Sequence, residues 1–205
     1  MKTIGITGNI GSGKSSVSKI ISELGYDVIS SDIVAKKLMD ESPTIRKKLI
    51  EKFGNETYLH NNTINVNVIS KLVFGETPES NENLNELNRI VHPEVIDYIY
   101  YKIQEFEQEG KQMCFVESAL IYEANIQEAF DYIIVVHSNV EISYSRIESR
   151  NNLSRDKFNS IEKGQISREE KKKLADFCVI NNSDYEHLKE ATLFVLDVIK
   201  SIEQK

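Results

Sequence analysis

The chain has 205 residues and a formal charge of −7, with 40 % hydrophobic and 28 % charged side chains. That length allows one domain with a sizeable core, and the acidic balance excludes a protein whose main partner is a nucleic-acid backbone, so any anion binding must be local. No apolar stretch approaches a membrane span, the amino terminus carries no signal-peptide pattern, and Cys114 and Cys178 lie in apolar stretches without metal-ligand spacing, so a cytoplasmic protein without disulfides or membrane partner is expected. Nothing in the sequence names a protein partner.

Thr3 to Thr7 reads as a strand, and Ser15 to Leu24 as a helix with Val17, Ile20, Ile21 and Leu24 on one face, stopped by Gly25. Between them, Gly8 to Ser15 runs Gly-Asn-Ile-Gly-Ser-Gly-Lys-Ser and fits the phosphate-binding pattern Gly-x-x-x-x-Gly-Lys-Ser in its required strand-to-helix context. Glycines let backbone N–H groups converge on phosphate oxygens, the helix start adds partial positive charge, and the lysine reaches the outer phosphates. Gly11, Ser12, Gly13, Lys14, Ser15 and Ser16 are therefore the candidate nucleotide-binding residues, with Ser15 the candidate magnesium ligand. A dinucleotide-binding spacing fails, because after Gly11-x-Gly13 the third position is Ser16.

Asp27 to Ser30 is a short second strand, and Asp32 follows it. A carboxylate at a strand end next to the phosphate loop suits positioning or deprotonating an acceptor hydroxyl; capping a helix that starts at Ile33 is the other use of an aspartate there.

From about residue 34 to 110 the apolar positions recur at helical spacing. Gly54 to Asn65 and Thr77 to Asn83 read as loops, and Pro93 is expected to start or kink a helix between the stretch carrying Ile90 and Val91 and the one carrying Ile96 and Ile99. Strands follow at Met113 to Glu117, Tyr132 to His137 and Phe177 to Ile180. Five strands alternating with helices imply a parallel sheet covered on both faces.

Asn139 to Leu174 is polar and helical in pattern, with Arg146, Arg150, Arg155, Arg168 and Lys171 to Lys173. Arg146 and Arg150 lie four apart on one face, where they either stabilise charge on a migrating phosphoryl group or present a solvated surface; the three lysines are expected in solvent. The last helix opens with a capping box, Ser183 and Glu186, and packs Leu188, Ala191, Val195, Val198, Ile199 and Ile202. Neither the guanine-reading Asn-Lys-x-Asp nor the switch motif Asp-x-x-Gly is present, which leaves a compact small-molecule kinase.

Several linked stretches resemble the dephospho-coenzyme A kinase family over nearly the whole chain. They are Ile4 to Ser15, Val28-Ile29-Ser30-Ser31-Asp32-Ile33-Val34-Ala35, His92-Pro93, Glu117-Ser118-Ala119-Leu120-Ile121-Tyr122-Glu123, Arg146 to Asn152, and Lys173 to Phe177 with Asn181-Asn182. The resemblance implies an α/β three-layer P-loop kinase fold: a five-stranded parallel sheet, a helical substrate-binding insertion and a helical lid. It divides a single domain, residues 1–205, into a core of about 1–34 and 111–205, an insertion of about 35–110 and a lid of about 139–174. ATP as donor, Mg2+, and dephospho-coenzyme A as small-molecule acceptor are implied with it, no nucleic acid among them. By the same resemblance Asp32 is the general base or orients the hydroxyl, and Lys14 serves the phosphates. Arg146 and Arg150 belong to a mobile lid, Asn182 lies near the ATP base, and His92 lies in the acceptor region.

Glu117 keeps acidic character at a strand end, either supporting magnesium through water or bonding the next turn. Where the family usually has glycine, aspartate and proline, this chain has Asn9, Ser30 and Ala119; Asn9 is expected to fit by reaching left-handed backbone angles. The alternative is a P-loop kinase for another hydroxyl acceptor, a nucleoside, nucleotide or sugar acid.

Overall fold

The β-branched runs form the strands that their composition predicts. In the computed structural model, which describes residues 1–74 and 77–203, these are β1 (Lys2–Thr7), β2 (Asp27–Ser30), β3 (Met113–Glu117), β4 (Tyr132–His137) and β5 (Phe177–Ile180). They make one five-stranded parallel sheet in the order β2-β3-β1-β4-β5, with Ile6 opposite Glu117, Thr7 opposite Val135 and His137 opposite Ile180. The register brings the carboxyl ends of β1, β3, β4 and β5 to one edge, where an open parallel sheet places its ligands.

Nine α-helices lie among the described residues: α1 (Lys14–Glu23), α2 (Ser31–Glu41), α3 (Pro43–Phe53), α4 (Val66–Val73), α5 (Pro78–Gln108), α6 (Val140–Asn151), α7 (Arg155–Lys163), α8 (Arg168–Leu174) and α9 (Tyr185–Glu203). None is long and apolar enough to cross a membrane. The chain divides into two compact units, residues 1–29 with 106–205, and residues 30–105.

In the first unit, Val17, Ile20 and Ile21 of α1 and Leu188, Val195, Leu196 and Ile199 of α9 close over Ile4, Ile6, Phe115, Ile134, Val136 and Val179 of the sheet. Each fully buried aliphatic or phenyl side chain contributes roughly 1.5–3 kcal/mol, so this layer is the main source of the unit's stability. Ile202, expected on the same face, is 46 % exposed. The thiols of Cys114, buried, and Cys178, half-buried, are unpaired.

The second unit packs α2 to α5 around Val34, Ile45, Leu49, Ile64, Ile69, Val73, Ile90, Val91 and Val95. Ser42 caps α3 by accepting the Ile45 N–H and donates its own hydroxyl to Glu94 at 2.7 Å. Gly54 to Asn65, read as a loop, is pinned by a short 3-10 turn at Asn55–Thr57 and a bridge between Tyr58 and Ile64.

Several local expectations are corrected. Thr77 to Asn83 is not a loop: α5 starts at Pro78, and the Thr77 hydroxyl caps it by accepting the Ser80 N–H at 3.1 Å. Gly75 and Glu76 lie outside the described residues. Of the two roles expected of Pro93, starting or kinking a helix, the first is not taken, since it sits inside α5; it removes one N–H, while Ile90, Val91 and Val95 keep the buried stripe continuous across it. The cap of α9 is Asp184, whose carboxylate accepts the His187 N–H at 3.0 Å, and not Ser183. Lys171 is fully buried, for reasons given below, while Lys172 and Lys173 are exposed as expected.

Candidate active site

The loop after the central strand β1 carries the phosphate-binding pattern into α1. Gly13 precedes the helix at φ 98°, ψ 22°, a left-handed conformation, and no side chain caps the helix start. A Cβ at Gly13 would overlap the Asn181 amide nitrogen, and one at Gly11 would overlap the Ser143 carbonyl. The loop is therefore shaped by its own glycines and by neighbours that press against it. Asn181, buried just past β5, donates its amide to the Ser12 carbonyl at 2.8 Å.

Lys14 Nζ donates to the Gly8 and Asn9 carbonyls at 2.8 and 3.2 Å, so its ammonium lies folded over the loop. Ser15 Oγ donates to Oε1 of Glu117 at 2.8 Å. Glu117 is 8 % exposed at the end of β3, and Ser15 is exposed at the start of α1. A hydroxyl and a carboxylate side by side are the hard oxygen donors that a magnesium ion takes. Ser16 follows, half-buried, in the first turn.

Arg146 and Arg150 lie four apart on α6. The Arg146 guanidinium donates to both the carbonyl and Oδ1 of Asn181 at 3.0 Å, and burial lowers its pKa. Arg146 thus holds the residue that holds Ser12. Arg150 is exposed in the last turn of α6. Asn182 is exposed and accepts the Asn139 N–H at 2.8 Å, joining the end of β5 to the start of α6. Arg155 is taken up by a two-pronged pair with Glu141 at 2.7 and 2.6 Å.

In the second unit, Asp32 is exposed in the first turn of α2, which begins at Ser31, so Asp32 is a helical residue rather than the cap before Ile33. Burial of His92 lowers its pKa, and the Asp32 carboxylate partly opposes that shift. A depressed pKa beside a carboxylate means that burial outweighs the opposite charge and favours the neutral imidazole.

Sequence reasoning missed four side chains. Arg168 is buried and donates to the carbonyls of Ser138 and Ile10, to the Ser143 hydroxyl and to both Glu162 oxygens. Lys171 bonds the Ala119 carbonyl at 2.6 Å and pairs with Glu123 at 2.9 Å, and Glu123 also accepts the Ile166 N–H. Asn181 completes the set. Each is recognisable only once the sheet is assembled, because most of its partners lie tens of residues away, Glu162 beside Arg168 being the exception. Asn9 also departs from expectation: it keeps a negative φ and uses its side chain, not a left-handed backbone.

Residues 2–187 match the family model described as dephospho-CoA kinase. The chain is 32 % identical over 201 residues to the dephospho-CoA kinase of Listeria monocytogenes serovar 1/2a, with 98 % of each chain covered. It is 37 % identical over 185 residues to that of Fusobacterium nucleatum, covering 90 % of this chain and 92 % of the relative. Among solved structures it resembles a dephospho-CoA kinase from Campylobacter jejuni with a TM-score of 0.70, 28 % identity and 98 % of each chain covered. With the phosphate loop, the strand order and the order of motifs all in agreement, the chain belongs to the dephospho-CoA kinase family.

Proposed function

We propose that this chain transfers the γ-phosphoryl group of ATP to the ribose 3′-hydroxyl of dephospho-coenzyme A, giving coenzyme A and ADP, in the cytoplasm. The observation that carries the reading is a complete phosphate loop inside a family match over residues 2–187. The loop amides and Lys14 take the β- and γ-phosphates, and Ser15 with Glu117 beside it offers the oxygen donors for Mg2+. Bound there, magnesium would neutralise phosphate charge.

Asp32 takes or orients the proton of the attacking hydroxyl. It is exposed, and among the described residues no hydrogen bond occupies its carboxylate. His92, neutral and half-buried, belongs to the acceptor side, and Asn182 to the side of the ATP base. Arg146 and Arg150 supply positive charge from α6, and the lid of residues 139–174 excludes water when nucleotide is bound. Family membership disfavours the alternative acceptors.

The test is mass spectrometry of the product formed from ATP, magnesium and dephospho-coenzyme A. A product heavier by one phosphoryl group is expected. An acceptor panel in which a nucleoside or sugar acid releases ADP faster than dephospho-coenzyme A would overturn the reading.

A further inference from the structure

Asn9 stands where the phosphate loop meets the root of the lid. Its backbone carbonyl accepts from Lys14 Nζ at 3.2 Å, while its side-chain amide donates to the Ile166 carbonyl at 3.1 Å and reaches Glu162 Oε1 at 3.4 Å. The next residue returns the contact: the Ile10 N–H donates to Gln165 Oε1 at 3.0 Å, and its carbonyl accepts from Arg168 at 3.0 Å. A side chain from each segment thus bonds the backbone of the other. Asn9 is 2 % exposed, so these bonds form away from competing water.

Three features separate this arrangement from an ordinary buried amide. The segment Glu162 to Arg168 spans the end of α7, the turn after it and the start of α8, inside the region proposed as the lid. The same residue that grips it also holds the ammonium that serves the outer phosphates. And a glycine here would keep the carbonyl that holds the ammonium but would lose the amide that grips Ile166, so only the side chain joins the two. We propose that Asn9, together with Gln165, is a positioning pair for the nucleotide: it ties the lid root to the phosphate loop, so that Lys14 and the lid move into place as one. The proposal rests on the kinase reading above, but not on the identity of the acceptor.

A neutral amide-to-carbonyl bond shifts an equilibrium by about three- to tenfold, and that is the size of effect expected for lid docking. The experiment compares Asn9→Ala, Asn9→Gly and Gln165→Ala in the full chain. It measures binding of a fluorescent ATP analogue with magnesium, ATP hydrolysis without acceptor, transfer to dephospho-coenzyme A, and the unfolding midpoint.

Asn9→Ala and Asn9→Gly should weaken nucleotide binding alike, by about three- to tenfold, because both lose the same amide. Gln165→Ala should act in the same direction. The ratio of hydrolysis to transfer should rise in all three, while the KM for dephospho-coenzyme A stays unchanged. Asn9→Asp should be worse than either, since a carboxylate cannot donate to Ile166 and meets the Glu162 carboxylate.

A purely structural role predicts a lower unfolding midpoint with unchanged nucleotide affinity, and that result overturns the proposal. So does an effect of glycine without one of alanine, which would trace to backbone freedom. Because nucleotide affinity and hydrolysis are read without acceptor, failure of the dephospho-coenzyme A assay alone would count against the proposed function and not against this pair.

Discussion

Ser15 and Glu117, 102 residues apart in sequence, meet where β1 and β3 end, the serine hydroxyl donating to the carboxylate at 2.8 Å. The contact orients the hydroxyl that would ligate magnesium and puts a fixed negative charge beside it. Removing that charge while keeping the shape isolates its contribution. Glu117→Gln should raise the magnesium concentration needed for half-maximal turnover and lower turnover by about 10–100-fold, as outer-shell changes at metal sites do. A magnesium titration of initial rates checks this, and an unchanged titration would confine Glu117 to structure.

Asp32 is placed by α2 with its carboxylate exposed. If it takes the acceptor proton, Asp32→Asn should lower turnover by about 10²–10⁴-fold, the range of a general base, with nucleotide affinity nearly unchanged. Single-turnover rates beside equilibrium nucleotide binding separate the two. Near-normal turnover would remove Asp32 from the chemistry.

His92 gives a pH dependence with a definite sign. Burial holds its pKa below the usual histidine value, so the folded unit favours the neutral ring. The unfolded chain then binds the proton more readily. The contribution of His92 to stability is therefore complete above the ordinary histidine pKa and is lost as pH falls through the lower, folded value. Asp32→Asn removes the charge that opposes the shift, so the His92 ring should titrate lower still in that variant. Ring-proton NMR reads both statements directly; a His92 that titrates at the ordinary value would contradict them.

Lys171 is fully buried between the Ala119 carbonyl and Glu123, and burial lowers its pKa despite the carboxylate. Breaking a buried pair by deleting one partner leaves the other charge uncompensated. Glu123→Ala should therefore destabilise the protein by about 3–5 kcal/mol. Lys172→Ala and Lys173→Ala should stay within about 0.5 kcal/mol, as surface changes do. Urea unfolding of the three variants provides the comparison, and three equal midpoints would refute the assignment.

The strands were legible because their β-branched runs are bounded by turn residues. β2, β3, β4 and β5 begin and end where composition places them. The phosphate loop was legible because its glycines and lysine sit in the right strand-to-helix context. What stayed hidden depends on partners distant in sequence. Three consecutive lysines read as a solvated surface, yet the turn of α8 points one of them inward to Glu123. Thr77-Pro78 reads equally as a turn or as a cap followed by the first helical residue, and only the helix that follows decides. Ser183 and Asp184 are both capping residues; the Ser183 carbonyl is drawn toward Arg146, which leaves Asp184 to cap α9. The side chain of Asn9 could not be read at all, since Ile166 and Glu162 reach it only in the fold.

The packing of Asn181 against Gly13 bears on the order in which the protein can come alive on the ribosome. The phosphate loop is translated well before the amide that closes on its Ser12 carbonyl, which comes 169 residues later, after β5. Until the last strand joins the sheet, the loop lacks one wall. Nascent chains stalled before β5 emerges should accordingly fail to retain ATP, whereas chains in which β5 has joined the sheet should bind it, which leaves a molecule in the making unable to consume nucleotide until its fifth strand is in place.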